Sequence, residues 1–409
     1  ALRLTDKAVE ETLRARLLLR LPPERVADLM PESGKAVMAL PDFAGAMGLP
    51  RWKEAAAPSQ PAFSILPERG EGGASNAFAA MPDRAAAGMP LFASDPHVEL
   101  TAPGAFYLAR LQLSTGDVIG ATLPGAPPVL LGRSSKLAWG LTVSHLDDQD
   151  IFIERLIEDD PDAYEAPGGP EPFTTRDSVI EVKGEKPQTV TLRWTRDGPV
   201  LPPFAYDVGR VTPQGHVAAL SWTALTAEDR SIESALGVMR AGSIDEAVAA
   251  GRKHLAPALN LVLADERDVG LSVIGRAPNR QPGQLGQGRI PAAGWAARNA
   301  WRGHAPASAN PIELRPESGI VVNTNNKTTD APFPDHWSFN WGDSHRILRA
   351  GRLLNEREFH TLDSFMVIQK DTVSPAARSL LPLIGRNLWY QGEPASTDPA
   401  ERRRQEALE

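Results

Sequence analysis

Hydrophobic periodicity changes twice along this chain, and that double change limits the folds open to it. Over residues 1–30 apolar side chains recur at helical spacing, with Leu13, Leu17, Leu18 and Leu21 on one side and arginines on the other. From 31 to 74 the periodicity is lost and Pro, Ala and Gly accumulate, ending in PERGEGGA, which reads as an exposed linker. From Ser75 onward short β-type runs separated by turns take over, as at Phe106 to Leu113, Val118 to Leu123, Val190 to Trp194, Val217 to Trp222 and Leu259 to Ala264. Helical patterns intervene at Ser231 to Arg240 and Ile244 to His254. They return after Ile347 with Leu353, Leu354, Leu362, Phe365 and Met366. No internal repeat is visible. The pattern predicts an α+β or layered α/β protein with its main boundary at 31–74.

Composition removes several classes of function. Lys and Arg number 43 against 51 Asp and Glu, a net charge of -8, without the clustered positive patch that tracks a phosphate backbone. Nucleic acid is therefore not an expected partner. With no cysteine the chain has no disulfides, zinc-thiolate sites or cysteine nucleophiles. No apolar stretch reaches the roughly 18 residues of a membrane-spanning helix, and no signal peptide opens the chain. The first residues read as the middle of a helical region and the last, DPAERRRQEALE, as a helix just begun. Both suggest a fragment of a longer precursor.

No G-x-S-x-G elbow, HExxH or P-loop is present, and a serine after Gly72-Gly73-Ala74 reads by itself as a turn residue. The wider context is more specific. GGASNAF followed by MPLFASDPHV resembles the start of the β-chain in the penicillin acylase family of N-terminal nucleophile hydrolases. DVIGATLPGAPPVLLGRSSKLAWGLTVSHLDDQDIFIERL, LVLADERDVGLSVIGRAPNR, GIVVNTNNKTTDAPFPDHW and WGDSHRI follow in that family's order. The resemblance runs from about Thr5 to Ile384. It implies a four-layer αββα sandwich, with 1–30 as the end of an α-chain, 31–74 as linker or spacer and 75–409 as the first part of a β-chain.

It also implies a function: an amidohydrolase that cuts itself before Ser75 and uses Ser75 to take an acyl group from an amide. Substrates of the family are β-lactams with acylated side chains, acyl-homoserine lactones and similar N-acyl compounds, and its members work in the bacterial periplasm or outside the cell. A serine hydroxyl needs a base. Here the base is the serine's own α-amine, whose pKa of roughly 7.7–8 leaves it partly free near neutrality. Many relatives carry Gly before the nucleophile where this chain has Ala74.

The resemblance assigns the oxyanion donors to the backbone N–H of Val143 and the side-chain amide of Asn325. It places His97 where an imidazole would orient the Ser75 hydroxyl, and Arg346 as electrostatic support. The plain alternatives are a strand valine, a polar turn, a structural histidine after Asp95-Pro96, and an ion pair to Asp343. It further implies one structural calcium ion held by Asp147, the Gln149 carbonyl, Asp150, the Pro278 carbonyl, Asp335 and Glu10, with Glu11 as the alternative to Glu10. A short acidic run such as HLDDQD reads by itself as a solvated loop. Phe78, Phe106 and Trp222 are candidates for an apolar acyl pocket or for plain core. The competing functional reading is a non-catalytic binding protein, or an inactive fragment, on the same fold.

Overall fold

The computed structural model describes residues 7–32, 40–49, 74–98, 101–331, 337–388 and 398–399. Helices α1 (Lys7–Leu18), α2 (Pro23–Leu29) and α3 (Phe43–Met47) come first, then strands β1 (Ala74–Ala80) and β2 (Leu91–His97). There follow β3 (Tyr107–Leu113), β4 (Gly116–Thr122), β5 (Leu131–Arg133), β6 (Ala138–Val143), β7 (Gln149–Ile157), β8 (Asp160–Ala166) and β9 (Gly169–Pro172). After β10 (Thr174–Ile180), β11 (Gln188–Thr195), β12 (Gly198–Pro199) and β13 (His216–Trp222) come α4 (Ser231–Arg240) and α5 (Ile244–Gly251). The chain continues through β14 (Leu259–Ala264), β15 (Val269–Ile274), β16 (Ala292–Ala293), β17 (Ile312–Leu314) and β18 (Ile320–Asn323), and α6 (His345–Asn355), α7 (Leu362–Gln369) and α8 (Pro375–Leu388) complete it.

Two antiparallel sheets lie face to face, one ordered β18-β1-β2 and the other β17-β15-β14-β6-β5-β4-β3. Strand side chains alternate between faces, and here that alternation sorts residues into layers. Ala77 and Ala79 of β1 pack between the sheets with Val262, Leu271, Val273 and Val321. Phe78 and Ala80 turn outward onto Leu354 of α6 and Phe365 of α7, with the Phe78 and Phe365 rings 4.9 Å apart. Leu259, Leu261 and Leu263 of β14 face the opposite way, onto Val238 and Met239 of α4 and Ile244 and Val248 of α5. The order of layers is therefore helix, sheet, sheet, helix: an α+β protein with the αββα sandwich expected. The sheets approach closely because Gly140 of β6 faces Ser94 of β2, where an added Cβ would lie 2.4 Å from Ser94 Oγ. Phe78 belongs to this core. Trp222 belongs to another, with its Nε1 3.3 Å from Asp148 Oδ2.

Beside the sandwich, β7 joins β13, β8 and β16 in a third sheet, and α1 lies across β7. One apolar side and one arginine side do not describe α1. Its buried residues include Glu11, Thr12 and Arg14 as well as Ala15 and Leu18. Arg14 is only 1% exposed and donates to the Arg289 carbonyl at 2.8 Å and to Asn340 Oδ1 at 3.0 Å. A helix covered by protein on several sides needs hydrogen-bond partners where a surface helix would use water. Within 31–74, α3 buries Phe43 and Ala44 completely against the same core, so that stretch holds a packed segment. The Gly-rich run before Ala74 lies outside the described residues.

Glu154 of β7 is fully buried, and neither carboxyl oxygen has a hydrogen-bond partner of ordinary geometry. Burial and then the Asp197 carboxylate push its pKa from 4.5 up to about 8, and burial pushes Asp197 up to about 6. Both folded values lie above the unfolded ones, so the folded state holds more protons and stability falls as pH rises through that window. The melting temperature should fall between about pH 5 and about pH 8, and Glu154→Gln should flatten the fall. Parallel slopes in thermal melts of the two proteins across that range would rule the carboxyl pair out as the cause.

Candidate active site

Ser75 is the second residue of β1 and, by alternation, shares the inter-sheet face with Ala77 and Ala79. It is 8% exposed. The chain runs unbroken through Ala74 and Ser75, and Ser75 Oγ donates to the Ala74 carbonyl at 2.7 Å. Its backbone N–H donates to Asn325 Oδ1, also at 2.7 Å. Hydroxyl, amide nitrogen and the carbonyl between them thus sit at one point in the fold.

Asn325 follows β18 in a left-handed conformation, with φ 65°. Asparagine tolerates that region better than other side chains. Its Oδ1 takes the Ser75 N–H and an Arg346 Nη1–H at 3.1 Å. Both partners can only donate, which fixes the amide so that Nδ2 faces the Val143 carbonyl at 3.0 Å. Val143, at the end of β6, lies opposite Leu259 in the sheet. Arg346, in the first turn of α6, also donates to the Ser75 carbonyl at 2.6 Å and to Asn76 Oδ1 at 2.5 Å. These bonds direct the guanidinium into the site. Four of the residues assigned from sequence, Ser75, Val143, Asn325 and Arg346, therefore form one connected group.

His97 stands at the end of β2, opposite Ala74. Its Nε2 lies 2.5 Å from Asp95 Oδ2 and 3.4 Å from Asn76 Nδ2, so the ring's contacts are with those side chains and not with the Ser75 hydroxyl. Asn76 and Asp95 lie within the quoted motifs but join the site without a role assigned from sequence. His145, two residues after Val143, has a pKa pushed down to about 4 by burial and by Lys7, so it is neutral at neutral pH.

A second constellation lies where α1 meets β7. Asp147, Asp148, Gln149 and Asp150 are all buried, not solvated. Ile151 N–H donates to Glu11 Oε2 at 3.0 Å, and Ala8 N–H to Gln149 Oε1 at 3.1 Å. Glu10 turns away to Asn340 Nδ2 at 2.6 Å and to Lys7. The Arg280 guanidinium lies among the acids, 2.8 Å from Asp150 Oδ1 and 3.2 Å from Asp147 Oδ1, and donates to the Gln149 carbonyl at 3.3 Å. Pro278, two residues earlier, bridges to His304. Asp335 lies outside the described residues. Burial pushes Asp147 up to about 7 and Asp148 to about 6, and raises Glu11 as well. Glu11 Oε1 and Asp148 Oδ1 have no hydrogen-bond partner, and Asp147 Oδ1 has the Arg280 ion pair alone. Orphaned carboxylate oxygens beside carbonyls are a donor set that suits a hard cation. Among the described residues, no three acidic or histidine side chains already converge as ligands.

The penicillin amidase family model matches residues 1–409, the whole chain. The chain belongs to the penicillin amidase family. An acyl-homoserine lactone acylase of Pseudomonas aeruginosa is 29% identical over 306 residues, covering 74% of this chain and 36% of that protein. Its counterpart in Pseudomonas putida is 30% identical over 384 residues, covering 93% and 44%. A penicillin acylase 2 proenzyme of a Pseudomonas species is 29% identical over 74% of this chain and 38% of its own length. The chain thus spans well under half the length of these relatives. The solved structure of a thermostable penicillin G acylase from Alcaligenes faecalis superposes with a TM-score of 0.67 at 23% identity, over 81% of this chain and 58% of that one. That likeness concerns the fold of penicillin amidases. Among the described residues, no helix is long and apolar enough to cross a membrane.

Proposed function

We propose that the protein containing this chain is an acylase that matures by cutting itself between Ala74 and Ser75. The observation carrying this reading is the shared environment of Ser75: hydroxyl against the Ala74 carbonyl, nitrogen on Asn325, and Arg346 on the carbonyl that follows. In maturation Ser75 Oγ attacks the Ala74 carbonyl carbon. The new C–O bond replaces the C–N bond, the hydroxyl proton passes to the nitrogen, and water hydrolyses the resulting ester. The freed α-amine then serves as base. In turnover Oγ takes the acyl group from an amide, the amine leaves with a proton, and water releases the acid. Val143 N–H and Asn325 Nδ2 are the donors for the oxyanion. Arg346 discourages protonation of the nearby amine by like-charge repulsion.

The names of the relatives point to N-acyl-homoserine lactones first and acylated β-lactams second, and an exported bacterial protein is the setting that the family resemblance implies. The test is N-terminal sequencing of the full-length protein together with hydrolysis of N-decanoyl-homoserine lactone and penicillin G. A β-chain beginning SNAFAAMPD and release of the free acid are expected. An intact chain that releases no acid would favour the non-catalytic reading.

A structural calcium ion is a second proposal. Asp147, Asp150 and the Gln149 carbonyl would hold it, with Glu11 rather than Glu10 supplied by α1 and with the Pro278 carbonyl and Asp335 completing the set. Its chemistry would be electrostatic cross-linking of α1 to β7. The unpartnered oxygens of Glu11 and Asp148 beside the Gln149 carbonyl favour this. Calcium at a hundredfold over its Kd should stabilise the full-length protein by about 2.7 kcal/mol. Glu11→Gln should weaken that response and Glu10→Gln should spare it. Melts indifferent to both calcium and chelator would remove the ion from the account.

A further inference from the structure

Behind the site, on the same inter-sheet face, Thr142 of β6, Asn260 of β14 and Asn323 of β18 form a buried polar group, each no more than 1% exposed. All converge on one atom, Asn323 Oδ1. It accepts from Thr142 Oγ1 at 2.5 Å, Asn260 Nδ2 at 3.1 Å and the Asn325 backbone N–H at 3.0 Å. The Asn325 N–H can only donate, so the oxygen end of the Asn323 amide must face it. Asn323 Nδ2 has no partner. Leaving a buried amide group unpaired is destabilising. A side chain selected for packing alone would avoid that cost.

We infer that Asn323 is a positioning residue that sets the two oxyanion donors relative to each other; this rests on the acylase reading above. The link to Asn325 is direct. The bond from its N–H two residues along closes a local turn that holds the left-handed backbone from which the Asn325 side chain projects. The link to Val143 has two routes. Thr142 is its neighbour in β6, and Asn260 Nδ2 donates to the Val143 carbonyl at 3.2 Å as well as to Asn323. The donors come from β6 and from the turn after β18, strands that belong to different sheets. Asn323 Oδ1 ties those two sheets together at the place where a misplacement of about 1 Å can cost on the order of a hundredfold in rate.

The test uses the full-length, cleaved enzyme, titrated for active sites, with N-decanoyl 4-nitroanilide as probe. Ser75-dependent hydrolysis by the parent is established first; its absence would sink the underlying reading and this inference with it. Asn323→Ala should lower kcat by about tenfold to a hundredfold with KM within a few-fold. In an Asn325→Ala background the same change should cost much less, because one of the two donors it positions is already gone. Should Asn323→Ala fail to fold, Thr142→Val should lower kcat in the same direction and Thr142→Ser should restore it. A lowered melting temperature with kcat unchanged, or equal losses in both backgrounds, would make this cluster structural only.

Discussion

Ser75→Ala should leave the full-length protein as a single chain on a denaturing gel, with no new N-terminus and no hydrolysis of amides above background. Two losses coincide in this variant. The hydroxyl that attacks the Ala74 carbonyl is gone, and with the peptide bond intact the Ser75 nitrogen remains an amide, which cannot act as a base. Among the described residues bonded at the uncut site, Asn76, Asn325 and Arg346 are not nucleophiles. Asn325 Oδ1 should still hold the residue-75 N–H, so folding should be little changed. Far-UV circular dichroism and the melting temperature check that point. An uncut Ser75→Ala protein that still turned over substrate would place the nucleophile elsewhere.

Asn325→Ala in the cleaved enzyme should lower kcat by about 10²–10³, or about 2.7–4 kcal/mol, with KM within a few-fold. The donor acts on charge that develops in the transition state and much less on the neutral bound amide. In the uncut chain the same side chain has another task, because its oxygen holds the Ser75 N–H and an Arg346 N–H. Cleavage must therefore be verified before kinetics are read. Asn326→Ala is the control. Among the described residues Asn326 bonds within the local turn, accepting from the Thr324 N–H at 3.0 Å and donating to the Lys327 carbonyl at 2.9 Å. A loss confined to KM, or equal losses in both variants, would assign Asn325 to the turn.

Elements whose local pattern matches their final environment are readable in the sequence. The run from Leu259 to Ala264 is β14 residue for residue, and Ser231 to Arg240 is α4. The first is an apolar run buried on both faces, and the second has helical spacing of its apolar residues. Helix α1 was misread on its polar side because amphipathic patterns assume solvent there, and Arg14 has found protein acceptors more than 270 residues away. Ser75, Asn325 and Arg346 were found through motifs. Asn260 stands outside those motifs, and Asn323 lies within one without an assigned role, since spacing alone does not separate a buried network from a surface position. The Arg280 bridge to Asp147 and Asp150 was hidden for a related reason. A charge pair across 130 residues becomes visible only when the chain is folded. Glu10 and Glu11 are adjacent in sequence but one helical step of roughly 100° apart. Only the folded helix shows which of them reaches the acids.

The cut proposed before Ser75 falls one residue inside a strand, and this makes its two products unequal. Of the seven register positions that β1 shares with β2, six belong to Ser75 through Ala80, and one, Ala74 opposite His97, belongs to the upstream piece. Pairing with β18 begins only at Ala77. On that proposal a severed Ala74 would keep a single rung on β2, opposite the exposed His97. The new amine is anchored on the remaining six rungs. The space that Ala74 would vacate would then be the mouth through which a second carbonyl reaches the same hydroxyl, so the protein's own backbone would be the template for every acyl group that follows.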